Sequence, residues 1–148
     1  MEVQSDFKEL LKLFNAHQVE YIIVGGYALA FHGAPRFTGD IDIFVLPTAE
    51  NSKKVMNALE EFGFGAIGIK KEDFQFPDKV IQLGVPPVRI DILTSISGVS
   101  TADAFSHGVH GMYGDVPVKY IERKQFILNK RSTGRKKDLS DLEALGEE

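Results

Sequence analysis

The stretch that most constrains this chain is Asp40-Ile41-Asp42-Ile43-Phe44-Val45-Leu46. Acid and aliphatic residues alternate, then give way to an unbroken apolar run. The period of two belongs to a β-strand, and it places both carboxylates on one face with the isoleucines on the other. Burying an unpaired charge is expensive, so acids set into an aliphatic strand pair with a cation or bind metal. Val88-Arg89-Ile90-Asp91-Ile92-Leu93 repeats the arrangement with a third acid flanked by aliphatic residues. If the two strands are neighbours, Asp40, Asp42 and Asp91 converge, and three like charges repel one another unless a cation neutralises them. Oxygen ligands on rigid strands, with room left for water and phosphate, suit Mg²⁺ or Mn²⁺. The 148 residues include no cysteine, which removes disulfides, thiolate metal sites and cysteine nucleophiles together. A purely structural assignment stands beside the metal one: Asp40 capping the turn after Gly39, Asp42 facing solvent on an edge strand, Asp91 paired with Arg36 or Arg89.

The rest of the chain alternates helical and strand patterns without repeats or a linker, as expected of a single domain over residues 1–148. Phe7, Leu10, Leu11 and Phe14 fall on one helical face, with Asp6 and Glu9 in a capping pattern. Tyr21 to Val24 reads as a short buried strand, and Tyr27 to His32 as a short helix. Thr48 caps a helix that buries Val55, Ala58, Leu59 and Phe62. Gly63 to Ile69 is a strand candidate. Residues 80–85 and 88–93 flank Pro86-Pro87 as a hairpin or as adjacent strands. A short helix over 101–107, two strands around Tyr113-Gly114-Asp115, and helices over 121–130 and 137–145 complete the reading. The fold class is α/β (α+β): a mixed, mostly antiparallel sheet with flanking helices. The four histidines read as surface residues. Phe74 and Phe76, in a polar stretch, are candidates for a base pocket.

Gly25-Gly26 closes one strand and opens a helix. Such a junction is either a tight turn or a place where backbone N–H groups receive phosphate. Arg36 and Thr38, just ahead of Asp40, either contact phosphate or orient the acids. The net charge of −4 is unevenly spread: residues 119–137 carry eight basic groups against Glu122 alone, and residues 138–148 carry five acids and no base. The basic segment reads as a complement to triphosphate or polynucleotide, or as a solvated helix face.

Val24-Gly25-Gly26, then Asp40-Ile41-Asp42-Ile43, then Asp91 in an aliphatic strand resembles the DNA polymerase beta-like nucleotidyltransferase superfamily across residues 20–95. The tail, Leu128-Asn129-Lys130-Arg131-Ser132-Thr133-Gly134-Arg135-Lys136-Lys137-Asp138-Leu139-Ser140-Asp141-Leu142, resembles the end of small bacterial stand-alone members, some of them abortive-infection toxin-like enzymes. The resemblance implies that Asp40, Asp42 and Asp91 are catalytic and hold Mg²⁺ or Mn²⁺. It implies that Gly25, Gly26, Arg36 and Thr38 bind nucleotide. Lys130, with Lys136 or Lys137, would fill the family's lysine role, and Asp138 or Asp141 its aspartate role. The expected activity is transfer of NMP from an NTP to an acceptor hydroxyl on RNA, protein or a small molecule, with release of pyrophosphate. The alternative is a non-catalytic nucleotide-, RNA- or protein-binding module such as a toxin–antitoxin component. The candidate partners are an NTP, an RNA or protein acceptor, and an antitoxin-like protein. No apolar run approaches the ~20 residues of a membrane span and the N-terminus lacks a signal pattern, so a cytoplasmic location is expected.

Overall fold

The computed structural model describes residues 3–65, 68–85 and 87–147. Six strands form one sheet in the order β3-β4-β2-β1-β6-β5. They are β1 (Tyr21–Val24), β2 (Asp40–Val45), β3 (Val80–Leu83), β4 (Arg89–Leu93), β5 (Val109–Tyr113) and β6 (Val116–Tyr120). Neighbours β1/β2, β3/β4 and β5/β6 run antiparallel, while β2/β4 and β1/β6 run parallel. The sheet is therefore mixed and mostly antiparallel. The helices are α1 (Ser5–Ala16), α2 (Gly25–Phe31), α3 (Ala49–Phe62), α4 (Thr101–Ser106), α5 (Arg123–Thr133) and α6 (Lys136–Ala144), with a short 3-10 helix over Lys71–Phe74. Among the described residues, no helix is long and apolar enough to cross a membrane.

The apolar faces explain this layout. Phe7, Leu10, Leu11 and Phe14 of α1 are fully buried, joined by Val55, Ala58 and Leu59 of α3 and by every residue of β1. Thr48 caps α3 by accepting the Asn51 N–H at 3.1 Å. The buried Asn51 amide then ties that helix start to the sheet. It accepts the Glu20 N–H and donates to the carbonyls of Glu20 and Leu46, all at 2.8–2.9 Å. Each of its polar groups is thus satisfied inside the protein, as burial requires.

Several boundaries differ from the sequence reading. The α1 cap is Gln4, whose side-chain oxygen accepts the Asp6 N–H, so Asp6 lies inside the first turn. The helix after β1 begins at Gly25 rather than Tyr27. Residues 63–65 and 68–69 are turn and coil, and residues 66 and 67 of that strand candidate lie outside the described set, as does Pro86 of the β3–β4 turn. Ser132 and Thr133 extend α5, which stops at Gly134 in a left-handed conformation. Phe74 is a core side chain with no exposed surface, while Phe76 is half exposed. Phe74 therefore lines no base pocket.

Candidate active site

Strand register assembles the acids. Along the parallel β2/β4 pair, Asp42 stands opposite Asp91 and Asp40 opposite Arg89. Residues paired in register share a face, so the three carboxylates come together while Ile41, Ile43, Ile90 and Ile92 point into the core with no exposed surface. One oxygen from each of Asp40, Asp42 and Asp91 lies within 4.8 Å of the others.

On the other side of β2, Val24 of β1 stands opposite Asp42. The β1–α2 junction therefore ends beside that carboxylate. Gly25 has φ +68°, and a Cβ there would strike the Asp42 carboxylate. Only glycine fits both the backbone and the space. A Cβ on Gly26 would press on Thr38, 3.0 Å from its side-chain atoms. The Thr38 hydroxyl in turn donates to the Asp40 carbonyl at 3.0 Å. No side chain caps the start of α2, which leaves backbone N–H groups there without a capping partner.

The electrostatics follow from this crowding. Burial pushes the Asp42 carboxyl up to about 7, and the neighbouring charges of Asp40 and Asp91 push the same way. Burial also raises Asp91, although a bidentate pair with Arg89 offsets part of that. The Arg89 guanidinium donates to both Asp91 oxygens at 3.2 Å. An all-oxygen donor set this close, crowded with like charge, fits a hard divalent cation.

The tail packs beside these acids through a buried ionic cluster. The Lys130 ammonium is almost fully buried and sits 3.2 Å from both Asp138 and Asp141, with its charge 5.4 Å above the Phe126 ring. Arg36 donates to both oxygens of Asp141 at 2.8 and 3.1 Å. Arg135 and Thr133 complete the shell of Asp138. Burial opposes the charge on Asp138, but the hydrogen bonds from Arg135, Thr133 and Lys130 outweigh it and hold the carboxyl well below the usual range. Asp141 is lowered in the same way, with Arg36 the main partner against burial. The field of Lys130 also reaches Asp42, where it favours the charged form.

Arg36 thus engages Asp141 rather than the strand acids, and both candidate tail aspartates meet Lys130. Lys137 is exposed on α6. Arg135 was not among the nucleotide-binding candidates. Of the two partners the sequence offered Asp91, Arg36 and Arg89, the structure supplies Arg89, which strand alternation puts on the same face of β4.

A cleft of about 1070 Å³ opens next to Asp40, walled by Phe7, Tyr27, Pro35, Phe37, Thr38 and Pro87. Phe37 is almost wholly exposed on its rim.

The sequence profile described as "Nucleotidyl transferase AbiEii toxin, Type IV TA system" matches residues 11–105. That span runs from α1 to α4 and includes all three strand acids. The chain belongs to the AbiEii nucleotidyl transferase toxin family. It is a nucleotidyltransferase with a small polymerase beta-like core. No curated protein sequence matches it. Solved structures with the same fold include TM1012 of Thermotoga maritima, a candidate nucleotidyltransferase, at 12% identity and TM-score 0.65, covering 96% of this AbiEii-family chain and 93% of that one. The lincosamide adenylyltransferase LnuA, solved with lincomycin, aligns at 16% identity and TM-score 0.58, covering 97% and 96%. The antibiotic-resistance factor ANT(2'')-Ia aligns at 12% identity and TM-score 0.61, covering 95% and 80%. At these identities the likeness is one of fold.

Proposed function

We propose that this AbiEii-family enzyme moves a nucleoside monophosphate from an NTP to an acceptor hydroxyl, using Asp40, Asp42 and Asp91 as ligands of Mg²⁺ or Mn²⁺. The observation that carries the reading is the register that sets Asp42 against Asp91 on one side and against the end of β1 on the other. The acceptor oxygen forms a bond to the α-phosphorus, the bond from that phosphorus to the bridging oxygen breaks, and pyrophosphate leaves. The proton of the acceptor hydroxyl passes to Asp91. A bound divalent cation would supply charge neutralisation for the phosphates and acidify the attacking hydroxyl. Gly25 and Gly26 let phosphate oxygens approach the backbone N–H groups at the start of α2. Thr38 braces Asp40 through its backbone. Arg36 holds α6 against the loop that leads into β2, Lys130 ties α6 to α5, and Lys137 supplies an exposed positive charge.

The acceptor or the nucleobase enters by the cleft beside Asp40. The family's place in toxin–antitoxin systems supports an antitoxin-like partner.

The test is label transfer. Each α-labelled NTP, with Mg²⁺ and an RNA or protein extract, should give a covalently labelled acceptor. Asp42→Asn should abolish the label while the circular dichroism of the folded chain is retained. Transfer that survives Asp42→Asn, or that proceeds equally in excess chelator, would overturn the reading.

A further inference from the structure

Asp91 alone among the three strand acids is held by a cation: among the described residues, no lysine or arginine forms an ion pair with Asp40 or Asp42. The Arg89 fork takes both Asp91 oxygens, at 3.2 Å each. This contact is built into β4. Residues i and i+2 of a strand share a face, so the register that sets Arg89 opposite Asp40 starts its side chain on the acidic side. The guanidinium is also free to leave, because its side chain is 37% exposed while that of Asp91 is 10% exposed. Withdrawing a partly hydrated arginine from one pair is a small cost.

We propose that Arg89 is a built-in competitor for the third carboxylate, occupying Asp91 until a divalent cation displaces it. The proposal rests on the metal reading above. A cation that draws on Asp91 needs at least one of the oxygens the fork already holds. A guanidinium and a divalent ion a few ångströms apart on one carboxylate repel strongly. Asp40 and Asp42, with no ion pair to break, receive a metal directly, while engagement of Asp91 carries the extra cost of releasing Arg89. Metal binding is therefore unequal across the three acids. In the metal-free enzyme the arginine relieves part of the repulsion that the carboxylates impose on one another.

Mn²⁺ titration of the full chain, followed by the paramagnetic resonance of free Mn²⁺ and without nucleotide, tests this. Arg89→Gln should tighten the weaker, Asp91-dependent binding step by roughly threefold or more. Arg89→Lys, which keeps the charge but loses the fork, should fall between wild type and Arg89→Gln. In an Asp91→Asn background Arg89→Gln should change nothing. Unchanged or weaker Mn²⁺ binding in Arg89→Gln would overturn the proposal. So would an equal gain in the Asp91→Asn background, because the effect would then be simple loss of a nearby charge. A wild-type chain that binds no Mn²⁺, or binds it equally well as Asp42→Asn, would instead defeat the metal reading and this inference with it.

Discussion

Gly25 and Asp42 illustrate how much rests on single residues. A methyl group at Gly25 would meet the Asp42 carboxylate in a left-handed backbone conformation. Gly25→Ala should destabilise the fold by at least about 1 kcal/mol from the backbone alone. It should also depress NMP transfer by more than that loss explains, since Asp42 must move; urea unfolding and label transfer measured together check this. Asp42 has a further signature. Its carboxyl is raised to about 7 in the folded chain, so the native state holds a proton that the unfolded state releases near pH 4. The metal-free protein should therefore lose stability as pH rises from about 4 to about 7. Asp42→Asn should flatten that slope and gain on the order of 2 kcal/mol at pH 8, read by chemical unfolding in chelator, while activity is lost. The positions of these acids were legible because strand alternation is a local rule. The ion pair that ties the tail to the loop before β2 was not: Arg36 meets Asp141 across 105 positions of sequence, a distance no local period spans.

At the scale of elements, the α5–α6 hairpin is the part whose meaning changed most. Its sequence reads as a basic stretch followed by an acidic one. In the fold most of these charges stay at the surface, while Lys130, Asp138 and Asp141 turn inward and are among the few buried ionic groups. Removing one partner of such a cluster leaves the rest uncompensated. Lys130→Met should cost about 3 kcal/mol, and amide exchange should rise over residues 136–144 before it rises in the sheet. The acids of this cluster have depressed pKa values, so their contribution is complete above the ordinary carboxylate range and fades only as the solution becomes strongly acidic. That sign is opposite to the one at Asp42, and the two regions can be separated in one pH series. The β5/β6 hairpin was readable from turn chemistry, as was the α3 start at Thr48, and a hairpin was one of the two readings open for β3 and β4. The true caps of α1 and α2 were harder, since Gln4 is an uncommon capping residue and a glycine pair looks like a turn until the helix that follows packs.

For the molecule as a whole, ligand linkage gives the broadest check. A cation that binds only the native chain stabilises it by about 2.7 kcal/mol at a hundredfold excess over its Kd. For a chain near this length each kcal/mol raises Tm by about 2–4 °C. Thermal unfolding with and without Mn²⁺ should show that rise in wild type and a much smaller one in Asp42→Asn. The pairing of β2 with β4 has one more consequence. The same register that brings Asp42 to Asp91 also sends Ile41, Ile43, Ile90 and Ile92 inward. A slip of one residue would drive the third acid into the interior and the isoleucines into water. The hydrophobic face thereby proofreads the polar one: a chain that misaligns these strands fails to fold, so every folded copy carries the acids already matched.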